Sequence, residues 1–361
     1  MDLCNDVVVN TRSLSAGLTG VQRYTAELCE RLAGRIAGIC PARPLQGVKG
    51  HLWEQFRLPA LVRSRLLWSP ANSGPIVMTH QVVTIHDVAV LDHPEWYNPR
   101  FAAWYRWMTP RLVRRASYIM AVSEFTKRRL IDVTDVDEAR VIVVPNGVDD
   151  RFSPRSPEEV AIAQAKLAIP SSSYLLSVAT SEPRKNLAGQ LAAWSRCVPH
   201  LPSNAWLVVS GAKGKEHVFR DSQLSNVPPR VHFTGYVPDE DLPALYSGAI
   251  GFLYPSFYEG FGLPVLEAMA SGIVPIVSKA TAPEELAGDA GIAVNPHDHE
   301  SIASAIIKLV KEVGWREELS RRATKRSSTF SWDRSAEMTW QVLQDAAKQH
   351  TNRSTVVSVQ T

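Results

Sequence analysis

Short runs of β-branched and aliphatic residues alternate along this chain with stretches whose apolar positions recur every three to four residues. That alternation predicts parallel sheets flanked by helices, an α/β fold. In the first half, strands are expected at Asp6–Asn10, Leu66–Pro70, Val82–His86, Tyr118–Ser123 and Val141–Pro145. Helical periodicity covers Gly20–Ala33, Pro99–Ala116 and Glu124–Val133. In the second half, strands are expected at Tyr174–Ala179, Trp206–Ser210, Val231–Phe233, Gly251–Tyr254, Val274–Ser278 and Gly291–Val294. Helices fit Asn186–Cys197, Asp239–Tyr246, Val265–Ser271 and Glu300–Val313. In the last of these, Ile302, Ile306, Leu309, Val310 and Val313 form one apolar face, as a core-facing helix requires. No solenoid-period repeat interrupts the pattern.

Length adds a domain count. The 361 residues suggest about two domains, with material for two separate cores. The break is expected between Asp149 and Ser173, where Pro154, Pro157, Pro170, a serine run and one short polar helix cluster. This assigns 1–155 to an N-terminal domain and 171–330 to a C-terminal one. A further helix is expected over 331–349 through Trp332, Met338, Trp340 and Leu343, and the residues beyond read as frayed and polar. The net charge of +3 argues neither for nor against nucleic acid, and no nucleic-acid partner is expected. Cys4, Cys29, Cys40 and Cys197 lack C-x-x-C spacing and read as reduced, buried thiols of a cytoplasmic protein. No apolar run approaches the ~20 residues that span a bilayer, and no signal peptide is visible.

The most informative stretch is Pro255–Gly272, PSFYEGFGLPVLEAMASG, an apolar strand end, a loop with two glycines and a helix start. Gly260 and Gly262 let a ligand approach bare backbone. Pro264 suits the first helical turn, and the helix N-terminus offers unpaired N–H groups suited to a phosphate. Glu259 on the loop and Glu267 on the second turn reach different ends of one ligand. The stretch resembles the signature of the retaining nucleotide-sugar glycosyltransferases of the GT-B architecture, family 4-like, and more narrowly the mannosyltransferases of bacterial polysaccharide assembly. The resemblance implies two Rossmann-like domains with a cleft between them, and a C-terminal helix that packs back on the first domain. It also implies that Glu259 faces the donor sugar, that Gly260, Phe261, Gly262 and Leu263 line it, and that Glu267 holds the ribose.

Other segments extend the resemblance. Thr180–Leu187, TSEPRKNL, follows a strand and opens a helix. Arg184 and Lys185 there match the family's diphosphate-binding pair and would neutralise the leaving group. Phe233–Pro238 resembles the loop that contacts the nucleotide base, implicating Gly235, Tyr236 and Val237; Tyr236 reads equally as a base-stacking or a core aromatic. Ser15–Tyr24 is similar to the family's T-G-I-G-R-Y element, with Gln22 where a glycine is usual, so Gly17, Thr19 and Gly20 are candidate acceptor or phosphate contacts. Thr84–Asp87 ends a strand where the family places a His-Asp pair by the donor sugar and acceptor. A ring or backbone contact from His86 to a sugar hydroxyl, with Asp87 orienting it, competes with a purely structural pair. Ser123 and Asn146 match family positions and also suit a helix cap and a turn.

Asp132, Asp135 and Asp137 imitate calcium-loop spacing but lack the later Gly and Glu. His297–His299 imitates a metal cluster, although Asp298 suits a helix N-cap. No strand-end Asp-x-Asp is present to hold a metal–diphosphate, so neither metal nor another cofactor is expected. Arg106, Arg111, Arg114, Arg115, Lys127, Arg128 and Arg129 follow a group of aromatics from Trp96 to Trp107. That face reads either as solvated or as a peripheral contact with an anionic membrane surface.

The expected activity is therefore transfer of a hexose, with retention, from a nucleotide diphosphate-sugar to a glycan or lipid-linked saccharide acceptor. The segment Gly50–Phe56 with Leu58-Pro59, and then Asp92–Trp96, resembles the mannosyltransferase-like branch and favours GDP-mannose over a UDP-sugar. A glycoside hydrolase using Glu259 and Glu267 is disfavoured: on one helix eight residues would separate them by ~12 Å, beyond the roughly 5–9.5 Å of such pairs. A dinucleotide oxidoreductase would need a G-x-G-x-x-G after the first strand, which is absent. A catalytically dead partner subunit would not keep all the principal residues.

Overall fold

The computed structural model describes residues 6–15, 20–45, 47–179, 182–211 and 227–359, with side chains to Gln349. The chain divides into two compact units, residues 1–147 with 331–361 and residues 148–330. Among the described residues no helix is long and apolar enough to cross a membrane.

The first unit carries strands β1 (Val7–Asn10), β2 (Ala37–Ile39), β3 (Leu66–Ser69), β4 (Gln81–Ile85), β5 (Tyr118–Ala121) and β6 (Val141–Val143) in the order β2-β1-β3-β4-β5-β6. Every pairing is parallel. Strands β1, β3 and β4 are buried along their whole length, which explains why they read as continuous apolar runs with no alternation. Strand β2 was not expected: Ala-Gly-Ile is too short and too glycine-diluted to announce a strand. It forms because β1 offers its outer edge. The segment 47–62 was not expected to be helical either. It comprises a short helix (Gly47–Leu52), a π turn (Trp53–Arg57) and a second short helix (Leu58–Val62) started by Pro59.

The C-terminal helix Trp332–Val359 belongs to this first unit. It packs on the Gly20–Arg31 helix and on β3, β4 and β5. Arg31 Nε donates to Asp333 Oδ1 at 2.7 Å, and the Ser335 hydroxyl donates to the Pro145 carbonyl. A Cβ on Gly147 would lie 2.1 Å from the Trp332 nitrogen, so glycine there is what lets the helix start against the end of the first sheet.

The second unit carries β7 (Tyr174–Val178), β8 (Trp206–Ser210), β9 (Val231–Gly235), β10 (Gly251–Tyr254), β11 (Pro275–Ser278) and β12 (Ile292–Val294) in the order β12-β11-β10-β7-β8-β9, all parallel. Counted within the unit this is the Rossmann order, whereas the first unit has a flavodoxin-like order. Its core sets Leu175, Leu207, Leu253 and Ile276 of the strands against Leu191 and Trp194 of the Leu187–Cys197 helix and Ile302, Ile306 and Leu309 of the His299–Lys311 helix. Val313 does not extend that last face. Glu312 leaves the helical region at φ −93° and ψ 74°, a new helix begins at Val313, and its side chain is exposed.

The division at Gly147/Val148 puts 148–155 in the second unit, against the expected boundary. The reason is local bonding: Arg155 N donates to the Ser247 hydroxyl, which donates to the Ser153 carbonyl, and the Pro157–Lys166 helix packs on Leu242–Ser247. That helix starts with a capping box from Ser156 and Glu159.

Strand order reverses between β1 and β3 in the first unit and between β7 and β10 in the second. Such reversals open a crevice at the carboxyl ends of the strands, because the connections on either side leave in opposite directions.

Candidate functional site

At the second reversal, two loops are stitched together. After β7 the chain makes a tight turn over Pro183–Lys185 and enters the next helix through Asn186, in the left-handed region at φ 53°. Asn186 Nδ2 donates to the carbonyls of Pro255 and Pro296, both at 2.9 Å. Phe257 N donates to the Arg184 carbonyl at 2.8 Å. The basic loop is thus bonded to the loop after β10. Gly262 then caps the Leu263–Ala270 helix at φ 99°, a conformation closed to most side chains, with Pro264 in the first turn.

The stitching brings the charges together. Lys185 Nζ donates to Glu259 Oε1 and to the Tyr254 hydroxyl, both at 2.6 Å. The Tyr254 hydroxyl donates to Glu259 Oε1 at 3.0 Å, closing a triangle. Arg184 Nη1 donates to Glu259 Oε2 at 3.0 Å, and its Nε to Glu182 Oε2 at 2.6 Å. Burial opposes the charge on Glu259, yet Lys185 and Arg184 hold its carboxyl below the ordinary value. Burial, with the Glu259 charge added, pushes the Tyr254 phenol well up, so it stays a donor. Two cations here face two carboxylates. An anion arriving here competes with the buried Glu259 carboxylate for the two cations, so Glu259 needs another partner once they turn away.

Glu267 is buried and accepts from the Tyr246 hydroxyl at 3.0 Å, one helical turn beyond the glycine loop. Phe261 is buried edge-on to Phe330, with centroids 6.2 Å apart, so it walls the loop from behind. Gly235 sits at φ 71°, Val237 is buried, and Tyr236 is 78% exposed, which removes the core reading of that aromatic. Tyr254 is the participant that sequence reasoning missed. Its place at the end of a buried strand reads as core, and only its hydroxyl's partners distinguish it.

In the first unit, β4 ends on a buried His86. Its Nε2 bonds the Pro70 carbonyl at 2.7 Å, its ring meets the Tyr24 ring edge-on at 4.7 Å, and its backbone N–H donates to Asn72 Oδ1 at 2.6 Å. Burial lowers its pKa to about 4, so the ring is a neutral imidazole that carries its proton on Nε2 toward Pro70. Asp87 Oδ1 accepts from Ala89 N at 3.1 Å. Asn72, Asp87, Tyr97, Phe101 and Tyr105 bound a cavity of about 160 Å³. Burial pushes the Tyr105 phenol up to about 12. Ser123 caps the Glu124–Thr134 helix, accepting from Thr126 N at 3.0 Å, and Asn146 is buried. Gly20 opens the first helix; Gly17 and Thr19, like Thr180 and Ser181 before the basic pair, lie outside the described residues.

A second buried carboxylate stands at the first reversal. Glu54 on the π turn accepts from Asn10 Nδ2 at 2.6 Å, Ser73 Oγ at 3.0 Å and Arg12 Nη2 at 3.4 Å. Burial opposes its charge, and His51 and Arg12 hold it below the ordinary value. Gln55 beside it bonds the Gly74 carbonyl and the Ile76 N–H. A polar Glu-Gln pair inside Leu-Trp-Glu-Gln-Phe was the available signal. The metal imitations resolve as caps and pairs: Asp298 caps the His299–Lys311 helix, Asp135 ends a helix at φ 53°, Asp137 caps a short turn and Asp132 pairs with Arg129.

The chain matches Glycosyl transferases group 1 over residues 161–326 and Glycosyltransferase Family 4 over residues 77–152. It is 30% identical to O-antigen chain mannosyltransferase B of Escherichia coli over 381 aligned positions, covering 91% of this chain and 96% of that protein. It is 31% identical to a serotype-specific mannosyltransferase of Escherichia coli, covering 74% of this chain and 33% of that longer protein. In fold it is similar to HepE of Anabaena in complex with UDP and glucose, at a TM-score of 0.75 and 17% identity, with 95% and 100% of the two chains covered. It is likewise similar to the sucrose-phosphate synthase of Thermosynechococcus elongatus, at a TM-score of 0.74 and 18% identity, with 95% and 99% covered.

Proposed function

Because this chain belongs to the GT-B glycosyltransferases of group 1 and family 4, with O-antigen mannosyltransferases among its relatives, we propose that it moves mannose from GDP-mannose to a saccharide acceptor with retention of anomeric configuration. The observation that carries this reading is the convergence of Arg184, Lys185, Tyr254 and Glu259 at the reversal of the second sheet.

In this proposal the donor diphosphate takes over Arg184 and Lys185, and the base lies at Gly235–Val237. Glu267 holds the ribose, and the Glu259–Leu263 loop the hexose. As the bond from the anomeric carbon to the phosphate oxygen breaks, its electron pair stays on the diphosphate, where the two cations stabilise it. The acceptor hydroxyl attacks from the same face, and its proton passes to the departing phosphate oxygen. The protein therefore contributes charge and position, and supplies no nucleophile of its own. Glu259, freed from Lys185 by the incoming diphosphate, turns to the sugar hydroxyls and the developing positive charge. His86, Asp87, Gly17, Thr19, Gly20, Ser123 and Asn146 belong to the acceptor or phosphate side. Two side-chain cations do the work of a divalent metal here, so transfer is expected to survive EDTA.

The test is a transfer assay with GDP-mannose, GDP-glucose and UDP-glucose, with the product anomer read by NMR. Turnover of GDP-mannose to an α-linked product supports the reading. Turnover of UDP-glucose alone replaces the donor, and an inverted product removes the mechanism.

A further inference from the structure

Glu182 stands two residues before Arg184, and Pro183 stiffens the chain between them. Its backbone is extended, at φ −67° and ψ 130°, as a residue before proline prefers. From there the carboxylate folds back on the guanidinium. Arg184 Nε donates to Glu182 Oε2 at 2.6 Å, a shorter bond than the 3.0 Å from Arg184 Nη1 to Glu259 Oε2. Nε belongs to the planar fork with which a guanidinium grips a phosphate through two parallel bonds. Glu182 therefore occupies a donor that a diphosphate would use.

The two carboxylates on Arg184 differ in what letting go costs them. The Glu259 side chain is 8% exposed and that of Glu182 is 51% exposed. Breaking an exposed ion pair costs little, because water serves each partner almost as well, whereas breaking a buried one strands a charge. Glu182 can turn to water when a phosphate claims Arg184, and Glu259 has the Tyr254 hydroxyl to keep. Once turned away, Glu182 is still on the same short turn as both cations, so its charge still acts on whatever they hold. That repulsion is unequal across the reaction. In a nucleotide diphosphate-sugar each phosphate carries one negative charge. In the nucleoside diphosphate left after transfer the terminal phosphate is a monoester with a second ionisation near pH ~6. Above that pH the product carries about one more negative charge than the donor.

We propose that Glu182 sets the preference of this site between donor and product. It stands in for the diphosphate on Arg184 before the donor arrives. After transfer it repels the more highly charged nucleoside diphosphate more than it repels the diphosphate-sugar, and so biases the site against its own product. It is a specificity residue that acts through Arg184 and touches no reacting atom. The inference rests on the diphosphate reading of Arg184 and Lys185 and adds to it how the product is let go.

The test is calorimetry of GDP and GDP-mannose, and of UDP and UDP-glucose, on the wild-type protein and on Glu182→Gln at pH ~7.5. Glutamine keeps the shape and an acceptor for Arg184 Nε while removing the charge. For the pair that the wild-type protein binds, the expected result is tighter binding to the variant, by about tenfold for the nucleoside diphosphate and only about threefold for the diphosphate-sugar. The product-inhibition constant should fall in step with the first. The gap should close in ~0.5 M salt, where charges are screened. Glu182→Asp, which keeps the charge on a shorter side chain, should restore most of the wild-type ratio. Product affinity that is unchanged or weaker in Glu182→Gln, or an equal gain for donor and product, overturns the proposal; circular dichroism checks that the variant is folded. Wild-type protein that binds none of the four ligands removes the diphosphate reading and the proposal with it. Wild-type binding without the unequal gain removes the proposal alone.

Discussion

Each sheet places a buried glutamate at the point where its strand order reverses, and the two glutamates are held in different ways. Glu259 is held by two cations and a phenol, at 2.6 to 3.0 Å. Glu54 is held at its shortest bonds by neutral groups, the Asn10 amide and the Ser73 hydroxyl, with Arg12 at 3.4 Å and His51 at 3.7 Å farther off. Neutral dipoles built into the fold have nowhere else to go, so Glu54 acts as an anchor that ties β1, the π turn and the loop after β3. Lysine and arginine side chains are long and carry several donors, so the cations around Glu259 can reach a second anion without the backbone moving. A buried carboxylate alone does not signal a ligand; the chemistry of its nearest partners sets the two apart.

The comparison is sharpened first by removing a cation. Arg184→Ala should lower kcat/KM for transfer by roughly 10³-fold, about 4 kcal/mol of transition-state stabilisation, with little change in Tm. A loss below tenfold in steady-state kinetics would break the distinction. Glu54→Ala should do the reverse. It strands Arg12 and the Asn10 amide and should cost about 3 kcal/mol of stability, read as a lower urea midpoint. Calorimetric affinity for GDP, a property of the second unit, should not move.

Acid should act on the first unit through His86. Its pKa is about 4 in the folded protein against 6.5 for the free side chain, so above pH 6.5 both states are neutral and nothing is lost. Between 6.5 and 4 the unfolded chain takes up a proton that the folded one refuses, so stability falls as pH falls, by up to about 3 kcal/mol. Urea titrations at steps across that window should show a shallower slope for His86→Asn; identical slopes would contradict the buried neutral ring. The smallest effect is expected at Tyr254→Phe. Losing one hydrogen bond from the Lys185–Glu259 triangle should lower kcat/KM about tenfold, about 1.4 kcal/mol, without disturbing the strand. An unchanged rate would reduce the tyrosine to packing.

Local pattern made much of this legible. The strands Trp206–Ser210 and Gly251–Tyr254 stand where the apolar runs end, because strands buried on both faces are written as runs. The glycine loop with Pro264 announced the helix that follows, because φ 99° at Gly262 and an N-terminal proline are local requirements. Strand β2 and the 47–62 segment stayed hidden. The first is a three-residue edge whose order comes from a neighbour, and the second hides a π turn among glycines and a proline.

What the chain alone determined is which side chains carry charge, which loops contain the glycines, and which runs must be buried. These are properties of a few neighbouring residues and their backbone preferences. What only the tertiary structure decided is that β10 lies beside β7, which brings Lys185 within 2.6 Å of a glutamate 74 residues away. Hydrophobic period says that a strand is buried but is silent on which strand it pairs with. That choice belongs to long-range packing, and it turned a lysine, an arginine, a tyrosine and a glutamate into one cluster.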